Sequence, residues 1–317
     1  MFKTSKLVIS AAACMALVSL TLPARAYTYN PRDFATEVVQ YVEGTGVGND
    51  WLSGDPFNNP DMALGRPTVD TTGDGWTLPL STNVTVAPTG PAFRAFELVS
   101  IGTGGHLTVK FDHRVLNDPN NPYGIDLVVF GNTSLTLDGA WWENNDPADV
   151  TIGSSMFGNE PGAVSVSQNG TDWYTFDLTQ GAADAFAPTA GRVLDRANPD
   201  TSVGAWNQWW GEATDPTMPL DPSLGLSDFT GKTLEEVCAM YGTSAGGAGF
   251  DLDWLNVPGG LDWIQYVRVE GNAAATTEVD AFADVAPLGT SEIPEPTTLI
   301  GLALGGLTVA ARRRRTT

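Results

Sequence analysis

Tryptophans and carboxylates are the side chains here best suited to chemistry, and several fall close together. Trp141-Trp142 precede Glu143, and Trp206-Asn207-Gln208-Trp209-Trp210 precede Glu212. An aromatic face stacks on the C–H face of a sugar ring, while Asn and Asp side chains bond its hydroxyls. Two carboxylates flanking a glycosidic bond can also hydrolyse it, which makes Glu143 and Glu212 the candidate acids. Their spacing singles out neither, because 37 acidic residues supply such neighbours by chance. Sugar binding through Trp141, Trp142, Trp206, Trp209 and Trp210 is therefore the leading expectation, without catalysis. The competing expectation is that these rings fill small cores beneath long loops, since tryptophan is mostly buried. Cys238 has no histidine nearby, as His106 and His113 lie far upstream. No Ser-His-Asp arrangement, phosphate loop or dinucleotide fingerprint is present, and zinc finds too few His and Cys ligands.

Charge narrows the partners. Between residues 27 and 296, nine basic side chains face all 37 acidic ones, a net charge of −28. Nucleic acid is excluded, because phosphate binding needs a basic footprint. Anionic lipid is disfavoured, and cation binding or plain solubility fits. Apolar residues make up 42% of the 317, enough for a core.

The elements that must position these groups read as strands. His106–Phe111 places Leu107, Val109 and Phe111 on one face, and Ile125–Phe130 is an apolar run suited to a strand buried on both sides. Ala163–Ser167 and Asp172–Asp177 flank Asn169-Gly170, a strong hairpin signal. Trp263–Glu270 and Thr277–Val285 read as a second pair. One helix is marked by the capping box Thr233/Glu236, the stripe Leu234, Val237, Cys238, Tyr241 and the stop at Gly242. Cys238 lies on that stripe and reads as a buried apolar residue. Two long inserts, Thr133–Pro161 and about 182–249, interrupt the strands and hold the tryptophans. They are expected to be loops that cover one end. The pattern predicts an all-β antiparallel sandwich with long loop inserts and one short helix.

The two ends read as addresses. Residues 1–26 combine a basic start, the apolar run Leu7–Leu22 and Ala24-Arg25-Ala26, as a secretory signal peptide does. Cleavage is expected after Ala26, the alternative being a retained anchor helix. Cys14 interrupts the apolar run rather than ending it, which disfavours lipidation, and Cys238 alone forms no intramolecular disulfide. The body is expected over 27–286, a linker with Pro294-Glu295-Pro296 over 287–296, and a hydrophobic segment with an Arg cluster over 297–317. That segment, Leu299–Ala311, is shorter than the roughly 20 residues a stable span needs, and Arg312, Arg313, Arg314 and Arg315 would hold its end in the cytoplasm. The tripartite pattern at 293–317 resembles the PEP-CTERM sorting signal of Gram-negative bacteria. The resemblance implies an exosortase-type processing enzyme that recognises Pro294-Glu295-Pro296, a transient inner-membrane stage, and delivery to the cell surface or extracellular matrix, where extracellular polysaccharide is the expected partner.

A second resemblance spans residues 36–285. It rests on Val38–Gly46, Met62–Pro67, Leu98–Gly105, Gly124–Asn132, Val164–Trp173, Gly249–Leu252, Tyr266–Val269 and Val279–Phe282. Their order is similar to bacterial cell-surface proteins with a jelly-roll domain of the galactose-binding, discoidin-like type. Relatives often carry Phe-Glu-Asn where this chain has Phe130-Gly131-Asn132, so any role of that Glu is absent here. Jelly rolls of this type often hold a structural calcium between the loop after the first strand and the last strand. The resemblance thus implies calcium among the Asn49–Gly65 loop, with Asp50, Asp55 and Asp61, and the final strand, with Glu278 and Asp280. Asp61, Glu278 and Asp280 are the named ligand candidates. The run Asp70-Thr71-Thr72-Gly73-Asp74-Gly75 lacks EF-hand spacing. A purely structural matrix protein is the second functional expectation and a glycan hydrolase the third.

Overall fold

A computed structural model describes residues 30–68, 87–139, 145–199, 209–273 and 275–285. The signal-like stretch 1–26, the run Asp70–Gly75, Trp141, Trp142, Glu143, Trp206 and everything from residue 286 onward, including the sorting residues, lie outside the described residues. Among the described residues no helix is long and apolar enough to cross a membrane.

Fourteen strands are described, numbered in chain order: β1 (Glu37–Val42), β2 (Val99–Ile101), β3 (His106–Leu116), β4 (Leu127–Phe130), β5 (Ser134–Asp138), β6 (Thr151–Phe157) and β7 (Ala163–Ser167) come first. After them follow β8 (Tyr174–Thr175), β9 (Arg192–Leu194), β10 (Trp210–Ala213), β11 (Ala248–Phe250), β12 (Trp263–Glu270), β13 (Thr277–Val279) and β14 (Ala281–Asp284). Two helices, α1 (Leu226–Phe229) and α2 (Leu234–Tyr241), lie between β10 and β11. The fold is all-β, and every strand pairing among the described residues is antiparallel.

The main sheet runs β1-β3-β12-β7-β8. Its inner face carries Leu107, Val109 and Phe111 from β3, Val164 and Val166 from β7, and Val267 and Val269 from β12. They share one core with Val99 and Ile101 of β2, Leu127 and Val129 of β4, and Phe282 of β14. β4 is the centre of the second sheet, β11-β4-β14. Its other face, Val128 and Phe130 with their β14 neighbours Ala283 and Ala281, packs with Phe34 and Ala245. An unbroken apolar strand requires this burial on both sides. Each fully buried Phe on these faces contributes roughly 2–3 kcal/mol of transfer free energy.

The Asn169-Gly170 hairpin joins β7 to β8, with Gly170 at φ 75 and Asn169 Oδ1 accepting from the Thr171 and Asp172 N–H groups. α2 has the expected bounds, box and buried stripe. Two expectations are corrected. Residues 263–270 and 277–285 do not pair with each other. β12 lies between β3 and β7, while the last stretch breaks at Asp280 into β13 on β2 and β14 on β4. The buried Asp280 carboxylate draws the break, accepting from Thr68 N at 2.9 Å and Thr68 Oγ1 at 2.8 Å. Nor are the inserts mere loops. The β5–β6 hairpin and the β9–β10 ribbon bring Leu135, Ile152 and Trp210 onto Phe229, Leu234, Val237, Cys238 and Tyr241, which form a second hydrophobic nucleus. Two inserts of this length carry enough apolar side chains to need a core of their own.

The motif glycines have a packing role. Gly44, Gly102, Gly105 and Gly271 meet where β1 ends and β3 begins; a Cβ on Gly271 would lie 2.1 Å from Gly102 O, and one on Gly44 2.5 Å from it. Only hydrogen fits there.

The chain enters and leaves the body side by side: Phe34 bridges Ala283, Ala35 N–H donates to Phe282 O at 3.1 Å, and Val285 N–H donates to Asp126 O at 3.0 Å. His113 of β3 ties this corner, its Nε2 2.9 Å from Asp284 Oδ2 and its Nδ1 2.7 Å from Asp112 Oδ1. Burial alone would lower its pKa, but hydrogen bonds and charges from Asp284 and Asp112 outweigh it and raise the ring to about 9. A folded pKa above the unfolded value means stability that is complete below about pH 6.5 and lost as pH rises through about 9. The melting temperature should therefore fall between pH 6.5 and 9, and His113→Asn should flatten that part of the fall. Identical slopes in the two proteins would remove His113 from the account.

Candidate functional site

The structure disperses most of the residues that the sequence singles out. Trp210 is 1% exposed inside the second nucleus, so its ring is not offered to a ligand. The expectation that it stacks on sugar is corrected: β10 turns it inward. Trp209 is half-buried, and Glu212 is exposed on the β9–β10 ribbon. Cys238 is buried on α2, and burial pushes its thiol up to about 12, the state of an inert structural thiol.

The loop after β1 and the segment before β2 are joined by a buried ion pair. Asp50 is fully buried and Arg94 is 1% exposed; Arg94 Nε donates to Asp50 Oδ2 at 2.6 Å. Ala95 N–H shares Oδ2, and the Leu52 and Ser53 N–H groups bond Oδ1. Burial by itself would raise the Asp50 carboxyl; the Arg94 bond and these backbone donors hold it below its ordinary range. Glu97 Oε2 accepts from the Phe93 and Arg94 N–H groups, and burial pushes its carboxyl up to about 7. Asp280 is pushed by burial to about 8, against the two Thr68 donors. Asp55 and Asp61 are exposed, and Asp61, Glu278 and Asp280 do not gather into one group. The donor set here does not fit calcium. Both Asp50 oxygens are saturated, and a guanidinium supplies the positive charge.

Glu278 belongs instead to a different cluster. Glu160, after β6, Asp184, after β8, and Glu278 on β13 each place a carboxylate oxygen within 4.8 Å of the others. Asp184 is 1% exposed; its Oδ1 accepts from Asn132 N–H, Thr133 N–H and Thr133 Oγ1, and its Oδ2 from Glu278 N–H. A Cβ on Gly131 would lie 2.6 Å from Asp184 Oδ1, so the missing side chain at 131 is what lets Asp184 in. Glu278 Oε1 accepts from Ser100 Oγ at 2.8 Å, and Oε2 contacts Asn132 Nδ2.

A polar groove of about 400 Å³ lies on another part of the body, lined by Asn117, Asn121, Tyr123, Gly124, Asp251 and Asp253, with Pro119. Asp126, fully buried beneath it, organises both walls. Its Oδ1 accepts from Asp118 N–H and Asn121 Nδ2, each at 3.0 Å, and its Oδ2 from Leu252 N–H at 3.0 Å. Burial pushes its carboxyl up to about 7, opposed by those bonds. Asp253 Oδ1 accepts from Asn117 Nδ2 at 2.8 Å, and Asp251 Oδ1 from Asp253 N–H at 2.8 Å. Asn121 is 4% exposed, and its Oδ1 has no partner among the described residues. Tyr123 sits at φ 59 and is 57% exposed. An aromatic held outward in a left-handed conformation, above a row of acceptors, is suited to a ligand with one apolar face and several hydroxyls.

The Asn117-Asp118-Pro119-Asn120-Asn121-Pro122 run announces a turn, but nothing local joins it to Asp251 and Asp253. Asp126→Ala should unpair three donors and cost about 3 kcal/mol in urea denaturation. Asp253→Ala, exposed, should cost less than about 0.5 kcal/mol. Equal losses would remove Asp126 as the organiser of the groove.

No curated protein and no solved structure matches the chain. Residues 292–315 match the PEP-CTERM protein-sorting motif, the mark of an exported cell-surface protein handled by exosortase in Gram-negative bacteria.

Proposed function

We propose that this chain is a non-catalytic surface or matrix protein, its body a jelly roll, that binds carbohydrate in the groove beside Tyr123. The observation that carries this reading is the pairing of the exposed Tyr123 ring with the buried, unpartnered Asn121 Oδ1 in a groove of Asn and Asp side chains. The groove is rich in acceptors, so it favours hydroxyl donors over anions. A neutral or weakly charged saccharide meets that demand and presents a C–H face to the ring. Asp251 and Asp253 are each held as acceptors by a neighbour, which supports binding over hydrolysis. The sorting motif supports a role outside the cell, and the short apolar segment before Arg312–Arg315 supports a transient inner-membrane hold.

The test is an array of neutral bacterial polysaccharides probed with the purified protein. Tyr123→Ala should weaken retention about tenfold, equivalent to about 1.4 kcal/mol, while Trp209→Ala leaves it unchanged. Retention of no glycan, or retention indifferent to Tyr123→Ala, rejects the groove; turnover of a retained glycan replaces binding with hydrolysis. Deleting residues 294–317 should change where the protein accumulates, and an unchanged location would refute the sorting role.

A further inference from the structure

The cluster of Glu160, Asp184 and Glu278 is the one place among the described residues where three ligand-type acids converge. No Lys, Arg or His among the described residues forms an ion pair with any of them. Three acids gathered without a base are costly to bury in ionised form. Burial pushes all three carboxyls up, and for Asp184 and Glu278 the neighbouring Glu160 adds to the rise.

A second observation points to what is missing. Asn132 is 9% exposed, its backbone N–H bonds Asp184, and its Nδ2 contacts Glu278 Oε2. Its amide thus reaches the cluster through Nδ2, and its buried Oδ1 has no partner among the described residues. A buried amide oxygen without a donor normally has water or an ion against it. Glu160 is half-buried and makes no side-chain hydrogen bond among the described residues, so one edge of the cluster opens to solvent.

We propose that Glu160, Asp184, Glu278 and Asn132 Oδ1 bind a divalent calcium ion that stabilises the junction of β4, β6 and β13. All four donors are hard oxygens, the ligand type of calcium; zinc would want His or Cys. Opposite oxygens around calcium lie about twice the metal–oxygen distance apart, roughly 4.6–5.2 Å, whereas magnesium closes that span to about 4.0–4.2 Å. The carboxylate oxygens lie within 4.8 Å of one another, close enough to share either ion, and a cage of protein oxygens favours calcium because magnesium keeps several of its waters. Water entering at Glu160 completes the shell. The ion joins segments far apart in sequence, near Asn132, Glu160, Asp184 and Glu278, and acts as a cross-link within the fold.

The experiment is calorimetric titration of chelator-stripped protein with calcium chloride, and separately with magnesium chloride. Expected are one calcium per chain, magnesium at least about tenfold weaker, and a melting temperature several degrees higher with calcium than with chelator. Glu160→Gln, at the open edge, should weaken calcium about tenfold or more with an unchanged far-ultraviolet spectrum. Glu278→Gln should do the same; if it does not fold, Glu160→Gln decides alone. Asp253→Asn, in the groove, should leave calcium binding intact. The proposal is overturned by a folded wild type that takes up no calcium at millimolar concentration. It is equally overturned by calcium affinity that survives Glu160→Gln or that is lost instead with Asp253→Asn.

Discussion

The body of this protein must bury acids with almost no bases to neutralise them. Nine basic residues against 37 acidic ones leave one buried guanidinium among the described residues, Arg94 on Asp50, and several other interior carboxylates turn to backbone N–H groups. Asp126 holds the N–H groups of Asp118 and Leu252, Asp184 those of Asn132, Thr133 and Glu278, and Glu97 those of Phe93 and Arg94. Glu97 closes its own turn, while Asp126 and Asp184 each fasten segments far apart in sequence. Hydrogen bonds to a charged acceptor are stronger than neutral ones, so a few carboxylates do the work that disulfides do in other exported domains. The same device leaves negative charge inside the fold. Glu160, Asp184 and Glu278 lie where that charge is least compensated.

The inserts enlarge the fold. In the main body the core lies between the five-stranded sheet and the β11-β4-β14 sheet. In the inserts a helix and two ribbons close around Trp210, Phe229 and Tyr241, and Tyr241 Oη donates to Pro188 O at 2.8 Å. This second nucleus takes in Trp210, which is 1% exposed. Among the described residues the exposed aromatics lie elsewhere, at Trp51, Phe96, Tyr123 and Phe157.

Local signals were legible and distant ones were not. α2, β7, β12 and the Asn169-Gly170 turn follow from capping, alternation and turn chemistry, all of which act within a few residues. The pairing of β12 with β3 and β7 was not legible, because alternation says which face is buried and not which strand lies alongside. Glu278 was a sequence candidate for metal, but its partners Glu160 and Asp184 were not. Asp184 carries no local signature beyond its place in a Gly/Ala-rich stretch, and only the tertiary fold brings Gly131 close enough to admit it. Trp210 misled because an indole looks the same in a sequence whether it faces a ligand or a core.

The last backbone bond described before the C-terminal flank runs from Val285 to Asp126, the residue beneath the groove. Traction on that flank therefore enters the molecule at the floor of the Tyr123 groove. Because Phe34 and Ala283 are antiparallel neighbours, a pull applied through both flanks opens that corner one bond at a time, like a zip, rather than shearing a whole strand. Tethered from this side, the body would yield under load first at the corner where β14 meets residues 34–35, while the five-stranded sheet stays whole.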